Sequence, residues 1–177
     1  MNLELDARLA KQGDKEAFIR LVKSLELSLY RIARSILNRD EDCADAIQET
    51  ILKAYHAIPK LKQESFVKTW MIRILINECR KLLGKRRGMV LTGEIPETAA
   101  LSVEFDRIEL KEAVEKLDDS LRIVITLHYF EDMSLKQVAA ALELPEGTIK
   151  SRLHRARQSL LDFLQPKAEG DYAHGIH

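Results

Sequence analysis

Few of the residues that build disulfide-bonded proteins, metal sites and β-sandwiches occur in this chain of 177 residues. The two cysteines, Cys43 and Cys79, form no CxxC pair, and no histidine lies at metal-ligand spacing from either of them. We therefore predict two reduced thiols in or near a core rather than a metal site or a disulfide. The seven glycines and four prolines are too few for an all-β sandwich, which needs many turns.

Long apolar runs and catalytic motifs are also missing. No run reaches the ~18 apolar residues of a membrane-spanning helix, and the first residues, MNLELDARLAKQGDKE, lack the apolar segment of a signal peptide. The sequence shows no nucleophile–base pair, metal-ligand spacing or glycine-rich phosphate loop. These absences predict a cytoplasmic protein that does not insert into the membrane and is not an enzyme, with no catalytic residues, metal ligands or cofactors.

Net charge is absent too, because 28 basic residues balance 28 acidic residues at pH 7. A zero total, taken alone, argues against nucleic acid as a partner. The charges are segregated, however: residues 40–49 hold five acids and no base, residues 73–87 hold six bases and one acid, and residues 147–157 hold four bases and no acid. Since local patches rather than the total select partners, the two basic segments are candidate nucleic-acid surfaces.

Helical periodicity dominates the sequence, and no convincing pair of strands is present, so we predict an all-α fold. A long helix follows its N-cap, Asp14, and a second helix runs from about residue 40 until Pro59 stops it. A third helix is predicted from Ser65 to Gly84, with the glycine as its C′ residue. Further helices are predicted at 106–117, 119–130, 134–142 and 145–164.

The segment between the third and fourth predicted helices contains Gly88, Gly93 and Pro96 and has no sustained apolar period. The sequence therefore predicts two small helical domains joined by a flexible linker. The predicted segments are an N-terminal domain over 1–86, a linker over 87–105, a C-terminal domain over 106–165 and a flexible tail over 166–177.

The segment SLKQVAAALELPEGTIKSRLHRARQSLLDFL predicts a helix-turn-helix motif. Ser134 and Gln137 have the spacing of a capping box, and Pro145 suits the first position of the second helix. On a helical projection, apolar residues of the second helix fall on one side, and cationic and hydrogen-bonding residues fall on the other. A polar, cationic face of this kind suits contact with the DNA major groove. The candidate residues are Thr148, Lys150, Ser151, Arg152, His154, Arg155 and Arg157.

Within this set, Arg152 and Arg157 lie near the apolar stripe, where contact with phosphates is expected rather than contact with bases. The alternative is an amphipathic helix whose basic face is merely solvated. The short preceding helix and the tight turn favour the DNA-binding interpretation. The histidines His128 and His154 need no catalytic explanation.

The third predicted helix has a face on which aromatic and basic residues occur together. The residues on this face are Phe66, Trp70, Arg73, Asn77, Arg80 and Lys81. Aromatic side chains stack on unpaired bases while cations hold phosphates, so this face is a candidate site for single-stranded DNA. The alternative for Phe66 and Trp70 is simple burial beneath a neighbouring helix.

The second predicted helix has an acidic face, formed by Asp45, Gln48, Glu49 and Leu52. It lies opposite an apolar stripe that includes Ile47 and Ile51. An acidic surface repels DNA, so this face is expected to contact either a protein partner or only solvent.

Taken together, the strings DCADAIQETILKAYHAI, SFVKTWMIRILINECRKLLGKRR and LRIVITLHYFEDMSLKQVAAALELPEGTIKSRLHRARQSL resemble, in this order, the extracytoplasmic-function group of bacterial sigma factors. The resemblance spans most of residues 10–164. It implies a sigma-two domain, a linker and a sigma-four domain, and a role as an alternative sigma factor in transcription initiation, including stress responses. The short linker and the short C-terminal extension favour the minimal form of the family.

The resemblance also implies partners for each face. The acidic helix, through Asp45, Gln48, Glu49 and Leu52, is expected to dock on the clamp helices of the largest subunit of core RNA polymerase, and the flap is a second expected contact. The loop at about 60–65, with Lys60 and Lys62, is expected to capture a flipped base of the −10 element. The second helix of the C-terminal motif is expected to read the −35 element.

A separate anti-sigma protein, which in this family can be anchored in the membrane, is the expected regulator. The competing interpretation is a conventional helix-turn-helix regulator that binds duplex DNA as a dimer. Such a regulator needs a sensory or dimerising N-terminal domain, whereas this chain has an acidic face and an aromatic–basic helix there.

Overall fold

In a computed structural model of the chain, residues 2–89 and 108–164 are described. They form α-helices with short 3-10 and π turns, and no strand occurs in these two ranges. The predicted all-α fold is therefore confirmed. In chain order the helices are α1 (Leu3–Lys11), α2 (Lys15–Ile36), α3 (Asp40–Ala57), α4 (Val67–Met89), α5 (Ile108–Glu115), α6 (Asp119–Ile125), α7 (Leu135–Leu142) and α8 (Glu146–Leu164). None of these helices is both long and apolar enough to cross a membrane.

Helices α1–α4 form the first helical unit. Asp14 caps α2 as predicted, because its carboxylate accepts a hydrogen bond of 3.0 Å from the Ala17 amide. Helix α1 was not predicted from the sequence. Asn2 caps it by accepting hydrogen bonds from the Glu4 and Leu5 amides. The fully buried apolar residues of α1 are the small Ala7 and Ala10, and Leu3 and Leu9 pack against the core only in part.

The core of the first unit contains both cysteines. Cys43 on α3 and Cys79 on α4 are free and fully buried, as the sequence predicted. Burial raises the pKa of both thiols, that of Cys79 to about 12. Because the thiolate is the reactive form, these groups act as small apolar core residues.

The predicted end of the third helix at Gly84 is wrong. Helix α4 continues to Met89, and Gly84 has an ordinary helical backbone with open space around its α-carbon. A glycine ends a helix only where it adopts the left-handed conformation, and here it does not. The helix thus extends three residues into the predicted linker, and the rest of that linker lies outside the described residues, as does the predicted tail over 166–177.

Helices α5–α8 form the second unit. The helix predicted over 119–130 is α6 followed by one π turn, Thr126–Phe130. The predicted capping box is present, with Ser134 and Gln137 bonded reciprocally. Pro145 was predicted at the first position of the second helix, but α8 begins one residue later, at Glu146. The Pro145 carbonyl accepts hydrogen bonds from the Thr148 and Ile149 amides.

The two units pack against each other, α4 against α7 and α2 against α6. Among the described residues, several hydrogen-bonded links cross between them. These are Arg31 with Glu131, Lys68 with Glu131, Arg80 with the Leu142 carbonyl and Arg122 with the Ser35 carbonyl. Local sequence patterns do not predict this contact, because it joins residues that are far apart in the chain.

The two glycines Gly84 and Gly13 should respond oppositely to alanine. Gly84→Ala should raise the free energy of unfolding by about 0.5–1 kcal/mol, because alanine is the better helix residue and its methyl group meets nothing. Gly13→Ala should lower it by about 1 kcal/mol, because Gly13 has φ +99°. Urea denaturation measures both values. If Gly84→Ala is as destabilising as Gly13→Ala, α4 ends near residue 84 after all.

Candidate nucleic-acid and protein interfaces

Helix α8 presents the predicted duplex-DNA face to solvent. Its apolar side, Ile149, Leu153 and Ala156, is 0–2% exposed, and this burial fixes the rotation of the helix about its axis. On the opposite side Lys150, Ser151, His154 and Arg155 are exposed, while Thr148 and Arg152 are half-buried at its borders. The structure therefore brings the candidate residues onto one surface, with the arginine and lysine side chains available for hydrogen bonds.

Two members of this set have partners inside the unit. Nε of Arg157 donates a hydrogen bond of 2.7 Å to the Tyr129 hydroxyl, and its guanidinium lies 5.7 Å from the centre of that ring. The Ser151 hydroxyl donates to the Thr148 carbonyl at 2.9 Å. These two contacts orient the Arg157 side chain towards Tyr129 at the border of the face. Tyr129 lies outside α8, in the π turn after α6, and the sequence offered no periodic signal for it.

A cleft of about 620 Å³ lies between α3 and α4. It gathers four of the residues predicted to bind single-stranded DNA. These residues are Trp70, Asn77, Arg80 and Lys81. An aromatic ring, an amide and two cations within one cleft provide a stacking surface, a hydrogen-bonding group and anion-binding groups.

The remaining residues predicted to bind single-stranded DNA lie outside this cleft. Phe66 is 48% exposed on the 3-10 turn that precedes α4, so burial beneath a neighbouring helix is wrong for this residue. Trp70 is half-buried and packs on the core, so part of its ring is buried and the rest stays accessible. Arg73 is exposed on α4, and Lys60 and Lys62 are exposed on the connection between α3 and α4.

The cleft also contains a buried acid, Glu78, for which the sequence predicted no role. The carboxylate of Glu78 accepts hydrogen bonds of 2.7 Å from Lys53 and 2.9 Å from Lys81. Desolvation by burial raises the pKa of Glu78, but the bonds from the two lysines outweigh it, so the net pKa is below the usual range. The Lys81 contact is visible in the sequence as a three-residue spacing on a helix, whereas the Lys53 contact joins two helices.

The acidic face on α3 is exposed as well. Asp45, Gln48, Glu49 and Leu52 all point to solvent, and Leu52 is 55% exposed. Tyr55, one turn further along, is 42% exposed and rests against Phe18 at the edge of the core. An exposed leucine and tyrosine beside two carboxylates resemble the mixed composition of a protein interface more than that of a purely solvated surface.

Replacement of Glu78 tests the ionic cluster through its pH dependence. Glu78→Gln should lower the free energy of unfolding at pH 7 by about 1–3 kcal/mol, because two lysines lose a buried partner. Since the folded-state pKa is lowered, the stabilisation is present above the unfolded pKa of about 4.3 and is lost as pH falls through the lower folded value.

The difference between the wild type and Glu78→Gln should therefore shrink on acidification, as measured by urea denaturation between pH 7 and pH 3. The exposed acid Glu26 on α2 gives the matched control, because Glu26→Gln should change little at either pH. A pH-independent difference would show that the lost stability is due to packing and not to charge.

Two segments of the chain match known protein families. Residues 21–88 match the family described as Sigma-70 region 2, and residues 107–160 match the family described as Sigma-70, region 4. The first match covers the acidic face and the cleft, and the second covers the helix-turn-helix motif.

Relatives that are similar along nearly the whole chain are ECF RNA polymerase sigma factors. The ECF sigma-E factor of Haemophilus influenzae is 31% identical over 175 residues, which cover 88% of this chain and 92% of the relative. The ECF sigma factor SigW of Bacillus subtilis is 27% identical over 179 residues, which cover 90% of this chain and 95% of the relative.

Two solved complexes contain a chain with a similar fold. CnrH in complex with the cytosolic domain of CnrY has a TM-score of 0.70 at 29% identity, covering 92% of this chain and 96% of that chain. RpoE of Bartonella quintana in complex with the anti-sigma factor NepR has a TM-score of 0.69 at 26% identity, covering 85% and 98%. The chain thus belongs to the ECF sigma factors and is an alternative sigma factor, a transcription initiation factor that binds RNA polymerase and directs it to promoters.

Proposed function

We propose that the two helical units divide promoter recognition between them. The first unit, within residues 1–86, binds core polymerase and opens the −10 element, and the second unit, within residues 106–165, reads the −35 element. The linker over 87–105 lets the units reach both elements. The observation that supports this division is the placement of one cationic, hydrogen-bonding surface on each unit, at the cleft beside α4 and along α8.

On α8, base recognition is assigned to Lys150, Ser151, His154 and Arg155. The buried stripe of α8 faces the rest of the unit, and these side chains lie on the opposite, exposed side. In our proposal this exposed side enters the major groove. The residues at the borders of this surface, Thr148, Arg152 and Arg157, are assigned to phosphates. The polymerase flap is the proposed protein contact of this unit.

On the first unit, the single-stranded −10 element lies along the cleft in our proposal. The half-exposed ring of Trp70 stacks on a base, Asn77 bonds to a base edge, and Arg73, Arg80 and Lys81 hold phosphates. The exposed connection before α4, which carries Lys60, Lys62 and Phe66, receives the flipped base of the −10 element.

The acidic face of α3 is the proposed docking site for the clamp helices of the largest polymerase subunit. Asp45 and Glu49 supply the charge, Gln48 supplies hydrogen bonds, and exposed Leu52 supplies the apolar contact. We add Tyr55 to this surface, because it is exposed one turn beyond Leu52. Complementary charge of this kind fixes orientation and speeds association.

An anti-sigma protein is the proposed regulator of this chain. The support is the similar fold of RpoE in its complex with the anti-sigma factor NepR, at 26% identity over 85% of this chain. In our proposal the regulator is anchored in the membrane, and fractionation of cells tests this by locating the bound chain in the membrane fraction. Since its proposed partners are core polymerase and promoter DNA, the chain acts in the cytoplasm.

Run-off transcription with purified core polymerase tests the proposal as a whole. Core polymerase alone should give no specific transcript, and addition of this chain should produce initiation at fixed start sites on genomic fragments. Initiation that is no more specific than with core polymerase alone would contradict the proposal.

Charge reversal on α3 should weaken the binding of core polymerase without unfolding the chain. Asp45→Arg should reduce the affinity about tenfold, because a positive charge then lies in an acidic docking surface. Glu49→Arg should act in the same direction, although it also breaks the contact of 3.2 Å with Lys53. The measurement is a pull-down or biolayer titration with core polymerase, and the matched control is Glu26→Arg on the exposed side of α2. Normal binding by both α3 variants would refute the docking assignment.

Variants of the two DNA surfaces should fail at different steps. Trp70→Ala and Asn77→Ala should impair strand opening, because their side chains lie where unpaired DNA is proposed to bind. Arg155→Ala should lose about 1–3 kcal/mol of discrimination at one or two upstream base pairs, as expected for a base-edge contact. Each variant holoenzyme is assayed on an ordinary promoter and on one with a pre-melted −10 region.

Pre-melting should rescue Trp70→Ala and Asn77→Ala but not Arg155→Ala. Equal rescue of all three variants, or rescue of none, would mean that the two units do not divide the work as proposed.

A further inference from the structure

Helix α1 lies against the connection between α3 and α4, which carries the residues proposed to receive the flipped base. This connection, residues 58–66, contains two 3-10 turns, Ile58–Lys60 and Glu64–Phe66. Helix α1 packs against both turns. The helix has no role in the proposed division of promoter recognition, yet it contacts the connection directly.

The two halves of the connection are held in different ways. Ile58 and Leu61 are 2–6% exposed and belong to the core of the first unit. Between Leu61 and Val67, a stretch that the structure describes in full, no side chain is buried. The first half is therefore held by apolar packing, whereas the second half, which carries Lys62 and Phe66, depends on other contacts.

A salt bridge from α1 supplies such a contact to the second 3-10 turn. Nζ of Lys11 donates a hydrogen bond of 2.9 Å to Oε1 of Glu64, although the two residues are 53 positions apart in the chain. Both side chains are partly shielded, with 31% and 24% of their surfaces exposed. The hydrogen bond from Lys11 is the main cause that lowers the pKa of Glu64 below its usual value. The carboxylate therefore stays ionised at neutral pH and the pair is kept.

Helix α1 can support the turn because the helix is itself fixed on the first unit. Ala7 and Ala10 are 0–5% exposed in the core. The carboxylate of Asp6 accepts a hydrogen bond of 2.9 Å from Nε of Arg20, on α2. Lys11 is the last residue of α1, four positions beyond Ala7 and therefore on the same side of the helix. Lys11 thus reaches the turn from a helix whose position is set by the core.

The salt bridge holds the turn from the side opposite to the one that faces solvent. Glu64 is half-buried beside α1, while its neighbours Gln63, Ser65 and Phe66 are exposed. A segment that must be ordered on binding loses affinity and selectivity, because part of the interaction energy is used for the ordering. A turn that is already held leaves its exposed side chains in one arrangement for a ligand.

We propose that Lys11 and Glu64 are positioning residues for the capture of the flipped −10 base, and that α1 is the support on which the capturing turn is held. This inference rests on the proposed role of the connection as the site that receives the base. Neither residue touches the base, so they act through the exposed residues of the turn.

Three variants of the full chain test the pair through its charges. Lys11→Glu places two carboxylates beside each other, and the double variant Lys11→Glu/Glu64→Lys restores opposite charges in the reversed order. Lys23→Glu is the matched control, because Lys23 is exposed on α2 and the change in net charge is the same. Circular dichroism shows whether each variant keeps its helical content, and if Lys11→Glu fails to fold, Lys11→Ala takes its place.

Hydrogen exchange followed by mass spectrometry measures the order of the turn in the free chain, without DNA. Lys11→Glu should speed exchange of the amides in residues 62–66 by about threefold to fivefold, as expected for the loss of a partly exposed ion pair. The double variant should return to the wild-type rate, and Lys23→Glu should not differ from the wild type.

Base capture is measured with the holoenzyme on a promoter identified by run-off transcription, with the −10 region pre-melted. In a set of templates, each −10 position of the non-template strand in turn lacks its base. The ratio of open complexes on the complete template and on each abasic template reports capture, and general changes in DNA affinity cancel in it. At the position where the wild-type ratio is largest, Lys11→Glu should lower the ratio by about threefold to fivefold, and the double variant should restore it.

Unchanged exchange in folded Lys11→Glu would overturn the positioning role of the pair. Faster exchange with an unchanged ratio would overturn its part in base capture, and a loss that the double variant does not restore would overturn the pairing as the cause. Phe66→Ala separates this inference from the proposed function. If Phe66→Ala lowers the ratio and Lys11→Glu does not, only this inference fails. If neither variant lowers it, the connection is not the site of base capture, and the proposed function fails at this point together with the inference.

Discussion

The burial of one stripe of α4 determines the function of its other sides. Val67, Met71, Leu75 and Cys79 are 0–1% exposed and fix the rotation of α4 against α2 and α3. With that rotation fixed, Trp70 and Asn77 face the cleft, Lys68 faces the second unit, and Arg80 lines the cleft while it donates a hydrogen bond to the Leu142 carbonyl of the second unit. Substitutions in the buried stripe that rotate α4 would therefore misplace the cleft and the contact between the units together.

Glu78 and Glu131 are both buried acids, and a buried carboxylate needs cationic partners. The two residues differ in where those partners lie. Each is 3–7% exposed and each is paired with two cations. The partners of Glu78 lie on α3 and α4 of the same unit, so the cluster ties neighbouring helices together and orients Lys53 and Lys81 at the rim of the cleft. The partners of Glu131 lie on the other unit, so its pairing depends on how the two units are arranged.

Local patterns in the sequence were sufficient to predict most helices, the N-cap Asp14, the capping box at Ser134 and the outward face of α8, because each depends on residues within one or two turns. Helix α1 was missed because it is short, Leu3–Lys11, and the only apolar residues that it buries fully are the small Ala7 and Ala10. The end of the helix was placed wrongly at Gly84, because the residue type alone does not show whether a glycine has a left-handed or a helical backbone. The contact of Arg31 with Glu131 spans 100 residues, and no local period encodes it.

The burial of both cysteines bears on how this chain responds to oxidants. Oxidation to a sulfenic acid proceeds through an accessible thiolate, and the two thiols are shielded and hold their protons more tightly than a free cysteine does. Peroxide therefore reaches these two thiols only when the core of the first unit opens, so their oxidation would follow the local stability of α3 and α4 rather than the oxidant concentration alone.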